Sequence, residues 1–321
     1  MSMLKVVLVD SDSGSRASLR RMLIQAHATV VAEYETISEA LVSAALAKIA
    51  RARRGATPAT RSSHMTGVFS PSGGVGVTTL AIALAMAMAE NSAKRVLLLE
   101  LDTRPSDIMT FLDIRPPYSV ADALHNIDRM DESFIQGLVV KYDNGLFVLT
   151  APPRHEPEPL DAERVQMMLE ILRSHFDHIV IDCRHDYDGG TLTALDACDT
   201  VLLLATPNVA SIRSAAAAIA AFRQTGIEMS KVKAVISRER TGVDVDAKHV
   251  KETLGLPIFW ATPNDYASTV SAINHGRPLM SGAPRSKLMA NVRGLAEKLS
   301  MTGKLAKGRQ GKSLLQRLSW K

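Results

Sequence analysis

The sequence predicts a doubly wound α/β fold, in which helices cover both faces of a mostly parallel sheet. Two observations predict this fold. From residue 66 onward, short apolar runs alternate with stretches whose apolar residues recur at helical spacing. Several of the apolar runs are continuous, which is typical of parallel strands buried on both faces. A smaller α/β unit precedes this region.

Residues 1–50 predict that smaller unit, and the polar, Gly/Pro-punctuated stretch 51–65 predicts a linker. Serines at positions 13, 15 and 38 are suitable helix caps. The predicted elements are a strand over Lys5–Val9, a helix from Ser13 or Ser15 to about Ala26, a strand over Thr29–Tyr34 and a helix over Ser38–Ile49.

Residues 66–300 predict the main domain, in which strands and helices alternate. The predicted strands are Thr66–Ser70, Arg95–Leu101, Leu146–Thr150, His178–Asp182, Thr200–Ala205, Val232–Ser237 and Pro257–Trp260. The predicted helices are Thr78–Asn91, Asp161–His175, Val209–Thr225, Asp246–Leu254, Asp265–His275 and a closing helix over Leu288–Leu299.

The composition is that of a globular protein whose charge is unevenly distributed. Hydrophobic residues make up 46% of the 321 residues and charged residues 22%, so a sizeable core is expected. Two cysteines exclude a disulfide scaffold and suit a reducing cytosol. The net charge is +5, but both ends are basic and the middle is acidic. This distribution argues against a broad nucleic-acid-binding face on the body.

Residues 301–321 predict a basic amphipathic tail, with six basic side chains and no acid. A short basic amphipathic helix that contains a Trp suits an anionic membrane interface. Peripheral contact with the inner membrane is therefore one expectation. A flexible solubilising tail, or a helix docked on the protein's own core, is the alternative. The apolar residues near one helical face are Leu314, Leu315, Leu318 and Trp320.

A glycine-rich turn is the strongest local signal. It reads Ser70-Pro-Ser-Gly-Gly-Val-Gly-Val-Thr-Thr79 and separates a predicted strand from a predicted helix. Glycines let backbone N–H groups approach phosphate oxygens, and the helix N-terminus adds its positive end. Two later strands end in the acids Asp102 and Asp182, and such acids point into the ligand crevice of an open sheet. The pattern favours a Mg²⁺-nucleotide site, with ordinary strand-end capping as the alternative.

These stretches resemble the deviant Walker A, Walker A′ and Walker B motifs of the MinD/ParA ATPases. The motif residues are Gly73–Thr79, Leu97–Asp102 and Ile179–Asp182. Further stretches resemble the CpaE/TadZ branch, which consists of proteins of Tad (Flp) pilus assembly. These stretches are Ser106–Ile108, Ser119–Leu124, Gly145–Pro152, Ala194–Asp199, Pro263–Tyr266 and Ala272–Pro278.

The resemblance covers about residues 66–300 and implies a P-loop NTPase fold that binds ATP and Mg²⁺. It implies three groups of site residues. The nucleotide would be bound by Gly73, Gly74, Val75, Gly76, Val77, Thr78, Thr79, Arg238, Pro263 and Asp265. The metal would be held by Thr78, Asp102 and Asp182. Asp102 would be the residue closest to a catalytic role.

Two positions depart from the family pattern Lys-Gly-Gly-x-Gly-Lys-Thr-Thr. Ser72 occupies the position of the signature lysine, and Val77 occupies that of the P-loop lysine. Without either lysine, little positive charge remains to stabilise a phosphoryl-transfer transition state. A third departure is Ser237, where a relative often has Asn before the arginine. The expectation is ATP binding with slow or absent hydrolysis.

The N-terminal segment Val6–Asp12 resembles the opening of a response-regulator receiver. The segment ends after two strands and two helices, and no third strand with an acceptor aspartate precedes the linker. Residues 1–50 are therefore predicted to be a truncated receiver-like segment that is not phosphorylated. Such a segment has limited capacity to bury a core of its own.

The predicted function is that of an ATP-binding, dimeric scaffold that localises or assembles a Tad-type pilus secretion apparatus. The expected partners are a second copy of the chain and Tad components, either the secretion ATPase or the inner-membrane platform. No specific nucleic acid is expected, and the expected location is cytoplasmic, at a cell pole. One alternative is an active MinD/ParA switch ATPase for partition, division or flagellar placement. Another is a pseudo-ATPase interaction protein that binds no nucleotide.

Overall fold

The computed structural model describes residues 5–9, 12–25, 29–34, 63–90, 94–143, 145–154, 160–239 and 247–311. The predicted helix Ser38–Ile49, nearly all of the predicted linker, and the tail beyond residue 311 lie outside the described residues. No helix in the described ranges is both long and apolar enough to span a bilayer.

Ten strands are present in the described residues. They are β1 (Lys5–Val9), β2 (Thr29–Tyr34), β3 (His64–Phe69), β4 (Val96–Leu101), β5 (Val140–Asp143), β6 (Leu146–Leu149), β7 (His178–Cys183), β8 (Thr200–Ala205), β9 (Val232–Glu239) and β10 (Ile258–Pro263). Strands β1 and β2 coincide with the two strands predicted in the N-terminal segment, and they form a separate two-stranded parallel sheet.

The α-helices separate these strands. They are α1 (Ser13–Gln25), α2 (Val77–Glu90), α3 (Asp107–Leu112), α4 (Val120–His125), α5 (Glu132–Leu138), α6 (Ala162–His175), α7 (Gly189–Ala197), α8 (Val209–Gln224), α9 (Ala247–Leu254), α10 (Tyr266–Asn274), α11 (Leu279–Gly282) and α12 (Lys287–Gly311). Short 3₁₀ turns follow α4 and α8.

The other eight strands form one sheet in the order β10-β9-β8-β3-β7-β4-β6-β5. All neighbours are parallel except the edge pair β5 and β6. Strand β3 lies in the middle, between β7 and β8, and β4 lies on the far side of β7. The carboxyl ends of β3, β7 and β4 therefore meet at one edge, where an open α/β sheet binds its ligands.

Alternate residues of each central strand pack into two different cores, because successive side chains point to opposite faces of a sheet. Leu97 and Leu99 belong to one core with residues of α6 and α8, whereas Leu98 belongs to the other with residues of α2 and α12. Residues Val96–Leu101 are all buried. The predicted doubly wound fold is confirmed, including strands buried on both faces.

Several elements were not predicted. Helices α3, α4 and α5 have six or seven residues, which is too short for helical periodicity to show, and their caps define them. Helix α7 begins with two glycines; a Cβ on Gly190 would lie 2.3 Å from the Cβ of Leu160, so close packing requires glycine there. Strand β5 is a four-residue edge strand.

The closing helix is longer than predicted. Helix α12 continues past Leu299 to Gly311, across the predicted boundary at residue 300. Strand β3 likewise begins at His64, two residues before the predicted start of the main domain. The division of the chain into domains remains a prediction.

Candidate functional site

A cleft of about 540 Å³ opens at the carboxyl ends of the central strands. Residues 72–79 form one side of it, called here the loop wall. Residues 100–107 and 182–185, which follow β4 and β7, supply the facing side, called here the strand-end wall. The two walls bring together the glycine turn and the strand-end acids that the sequence predicts to cooperate.

The loop wall is built by glycines in conformations that other residues rarely adopt. Gly74 has a φ of 72° and Gly76 a φ of 99°, and a Cβ on Gly74 would face open space. Helix α2 begins at the end of this turn, where the N–H of Leu80 donates to the carbonyl of Gly76 at 3.0 Å. The loop wall therefore presents backbone and a helix N-terminus to the cleft, and it contains no lysine or arginine.

Two acids lie side by side at the base of the cleft. Glu100 on β4 and Asp182 on β7 are register partners, and both are buried. Burial raises the pKa of Asp182 well above its ordinary value, and the charge of Glu100 adds to this, whereas a hydrogen bond from Thr78 opposes it. Asp182 and the Thr78 hydroxyl together offer oxygen ligands of the kind that Mg²⁺ prefers.

Glu100 has a structural task. Its carboxylate accepts hydrogen bonds from the Ser106 hydroxyl and from the backbone N–H groups of Asp107, Ile108 and Ala151. Burial raises its pKa, and these hydrogen bonds act in the opposite direction. Glu100 thereby satisfies the N-terminus of α3, so it positions the strand-end wall.

Asp102 is held by two arginines. Arg104 donates from Nε to both carboxylate oxygens, at 3.0 and 2.9 Å, and from Nη2 to Oδ2 at 2.6 Å. Nε of Arg184 lies 3.5 Å from Oδ1. Burial acts to raise the pKa of Asp102, but the hydrogen bonds from Arg104 and the charges of both arginines outweigh it, so the pKa is lowered. Asp102 is an anion whose oxygens are already engaged.

A narrower recess of about 50 Å³ adjoins the cleft and contains residues predicted to bind the nucleotide. Arg238, Pro263 and Asp265 line it beside Gly76 and Thr79. Arg238 has a φ of 59°, a left-handed conformation that is uncommon for a residue other than glycine. The recess is therefore in the right place to receive the base or ribose of a nucleotide whose phosphates lie in the loop.

Ser237, which stands where relatives often have Asn, connects this recess to the loop. Its hydroxyl donates to the carbonyl of Val75 at 2.7 Å and is buried. The Val75 side chain itself packs in the core. Val75 is consequently available to a ligand only through its backbone N–H.

The structure brings the remaining predicted site residues together. The cleft is lined by Gly73, Gly74, Gly76, Val77, Thr78, Thr79, Asp102, Asp182 and Arg238. Two residues that the sequence analysis missed also line it, namely Arg104 and Arg184. A signal for them exists, because both strand-end acids are followed two residues later by arginine, in Asp102-Thr-Arg104 and Asp182-Cys-Arg184. Exposed Tyr266 was missed as well; it lines both cleft and recess.

Comparison with known proteins gives one family and a shared fold. A sequence profile of the AAA domain family (AAA_31) matches residues 64–229, more than half of the chain. A putative septum site-determining protein MinD from Oltmannsiellopsis viridis is 29% identical over 221 residues, which cover 66% of this chain and 68% of that protein.

Two solved structures illustrate the fold. A ParA family ATPase from Chlorobium tepidum TLS has a TM-score of 0.68 at 22% identity and covers 73% of this chain and 98% of that one. The septum site-determining protein MinD from Pyrococcus horikoshii OT3, complexed with Mg-ADP, has a TM-score of 0.63 at 17% identity, with 74% and 96% covered. At these identities the likeness shows the fold alone.

Proposed function

Because the chain belongs to the AAA domain family and is related to the MinD/ParA ATPases, we propose that it binds Mg²⁺-ATP and hydrolyses it slowly or not at all. The observation that carries the proposal is the composition of the two walls that face each other across the cleft. A phosphate-binding turn without a cation faces an Asp102 that two arginines already hold.

The loop wall fits phosphates. A Cβ on Gly73 or Gly74 would meet no atom within 4 Å, and the turn leads directly into α2, whose first N–H groups have no partner within the helix. The cleft volume of about 540 Å³ lies in the range of small-molecule sites. The relative from Pyrococcus horikoshii was solved with Mg-ADP, which supports the same ligand class here.

The donors at the base of the cleft fit Mg²⁺. Thr78 is hydrogen-bonded to Asp182, and Asp182 lies beside the second buried acid, Glu100. A divalent cation would neutralise this pair of like charges and screen the phosphates when the nucleotide is bound. Asp102 is placed to reach the same region only if it leaves its arginine partners.

Slow hydrolysis follows from the charges of both walls. The turn has Ser72 and Val77 where the family pattern has lysines, so no loop cation stabilises charge that develops on the transferred group. Asp102 cannot orient water while Arg104 occupies both of its oxygens. Enzymes of this class gain most of their rate from positioning and electrostatics, so both losses act on the chemical step.

For the cellular role, we propose that this protein localises or assembles a Tad-type pilus apparatus, as a dimer joined through the nucleotide face. The support is the set of CpaE/TadZ-like stretches, of which Pro263–Tyr266 lines the recess of the site. Contact of residues 301–321 with the membrane and a location at a cell pole belong to the same proposal. The second candidate is an active switch ATPase, which is favoured by the relatives named as septum site-determining proteins.

Calorimetric titration with ATP and ADP in Mg²⁺, with phosphate release assayed on the same sample, tests the biochemical proposal. Binding without turnover is expected. Turnover at the rate of active switch ATPases would overturn slow hydrolysis and favour the second candidate. No binding at millimolar nucleotide would overturn the proposal and leave an interaction protein.

A matched pair of variants shows whether binding uses the predicted metal ligands. Thr78→Val removes the hydroxyl that faces Asp182 and should weaken Mg²⁺-dependent binding about tenfold or more. The control is Thr193→Val in α7. It removes a buried hydroxyl that makes no hydrogen bond to any described residue, so nucleotide affinity should not change. In the host, deletion of the gene separates the cellular roles, since loss of surface pili supports the first and misplaced septa support the second.

A further inference from the structure

The cleft contains positive charge that the loop wall lacks. Among the described residues, three arginines line the cleft, and two of them, Arg104 and Arg184, belong to the strand-end wall. Resting on the proposed function, we propose that Arg104 and Arg184 bind the terminal phosphate of ATP and replace the missing loop lysines.

The sheet topology places these two arginines opposite the turn. Strand β7 is the direct neighbour of β3, and β4 is the direct neighbour of β7. Val68 of β3 is in register with Asp182, and Leu101 of β4 is in register with Cys183. Residues two positions beyond the strand-end acids therefore project from the same edge as the turn that follows β3. The terminal phosphate of a nucleotide seated in the turn would lie between the two walls.

Arg184 is fixed before any ligand arrives. Its Nη2 lies 2.7 Å from Asp186, its Nη1 lies 3.3 Å from Asp188, and its side chain is 16% exposed. Nη1 also donates to the Thr103 hydroxyl at 3.4 Å. Nε is buried and makes no hydrogen bond to any described residue. The same Nε lies 3.5 Å from Oδ1 of Asp102, so Arg184 is a pre-organised cation held by carboxylates, and pre-organisation lowers the entropic cost of binding an anion.

Arg104 presents the fork that phosphates use. Its contacts with Asp102 are bidentate, and guanidinium groups bind phosphate oxygens in the same geometry. Its side chain is 37% exposed, so it can turn from Asp102 to a neighbouring phosphate without disturbing the core. If Arg104 exchanged Asp102 for a phosphate, the Asp102 carboxylate would become available to water and metal, from which its hydrogen bonds with Arg104 otherwise keep it.

Discrimination between ATP and ADP is the measurable consequence. The backbone of a phosphate-binding turn holds the inner phosphates, whereas the basic side chain of the motif reaches the outer ones. If the two arginines serve the outer phosphate, their loss weakens ATP and leaves ADP nearly unchanged. If they only maintain the fold, both affinities fall together.

Calorimetry with Mg-ADP and with the Mg²⁺ complex of the β,γ-imido analogue of ATP tests this. Arg104→Met, at the more exposed position, should weaken the analogue about tenfold to a hundredfold and ADP less than about threefold. Arg184→Lys keeps the charge but loses the fork, and should give a smaller selective loss. Arg173→Met is the control, because Arg173 also pairs with an aspartate, Asp199 at 3.1 Å, but at the opposite end of the strands.

A double-mutant cycle makes the test specific. Val77→Lys returns a cation to the loop wall, so the selective loss caused by Arg104→Met should shrink in that background. Equal losses for ATP analogue and ADP, or a loss unchanged by Lys at position 77, would overturn the inference while the proposed function stood. Failure of the wild-type protein to bind either nucleotide would overturn both.

Discussion

The two walls of the cleft differ in how they offer binding energy. The loop wall is uncharged and uses backbone N–H groups set by positive φ angles at Gly74 and Gly76. The strand-end wall is highly charged, with buried carboxylates and two arginines in mutual ion pairs. Under the proposed function, the loop wall would recognise the shape of a phosphate, whereas the strand-end wall would recognise its charge.

Under the proposed function, this difference explains how a phosphate site would persist while its chemistry weakens. Backbone geometry survives the replacement of lysine by serine or valine, because glycine positions and not side chains build the turn. In our proposal, charge compensation comes instead from across the cleft, from residues that also hold Asp102. The walls can therefore be altered separately, and each alteration has a distinct readout.

The largest expected effect comes from deforming the loop wall. Gly76→Val places a β-branched residue at a φ of 99°, with the Ser237 Oγ 3.6 Å from the new Cβ. The strain costs roughly 1–3 kcal/mol of stability. The turn must change shape to relieve it, so Mg-ADP and Mg-ATP binding should both weaken more than about a hundredfold by calorimetry.

The control for this variant is Gly137→Ala in α5. A Cβ at Gly137 meets nothing within 4 Å, and its φ is not positive. Nucleotide affinity should be unchanged, and stability should rise by up to about 1 kcal/mol. Wild-type affinity in the Gly76→Val protein would show that the turn is not the phosphate site.

A smaller effect is expected from neutralising the strand-end wall. Asp182→Asn removes a buried charge but keeps an acceptor for Thr78. Because the folded pKa of Asp182 is raised above its ordinary value of about 3.9, the native state binds the proton more tightly than the unfolded chain does. The stability of the wild type therefore falls as pH rises from the unfolded-state pKa through the folded pKa.

The Asn variant does not titrate at this position, so its advantage should grow with pH and vanish in acid. By pH 8 without Mg²⁺ we expect a gain on the order of 1 kcal/mol, or about 2–4 °C in Tm. Thermal unfolding in EDTA from pH 4.5 to 8.5 measures it. A constant difference across this range, or a gain that is largest in acid, would contradict the raised pKa.

Much of the fold could be predicted because the central strands carry it in their own residues. Continuous apolar runs such as Val96–Leu99 favour strands that are buried on both faces. The short helices could not be predicted from periodicity, but capping residues mark them. Ser106 accepts the Met109 N–H, and Asp131 accepts the Phe134 N–H.

Only the part of the site that lies within the sequence motifs could be predicted. The turn and the acids Asp102 and Asp182 follow from strand order, because parallel strands bring their carboxyl ends together. The ion pair between Arg184 and Asp102 could not be predicted, since the two residues follow different strands and lie 82 positions apart in sequence. The sequence predicts that Asp102 holds the metal and is closest to a catalytic role, whereas in the structure both of its oxygens accept hydrogen bonds from Arg104.

The smallest expected effect concerns the link between the turn and β9. Ser237→Ala deletes the hydroxyl that donates to the Val75 carbonyl at 2.7 Å, and leaves that buried acceptor without this partner. A neutral hydrogen bond of this kind contributes about 0.5–1.5 kcal/mol, so stability in urea should fall by that amount. Because the bond restrains the loop wall alone, affinities for ADP and ATP should weaken together, by severalfold at most.

The control is Ser286→Ala at the start of α12. The Ser286 hydroxyl accepts the Met289 N–H, so its loss should lower stability by a comparable amount without a change in affinity. A selective loss of ATP binding in Ser237→Ala would instead mean that a change beside the recess alters the strand-end wall. The two walls would then not be independent.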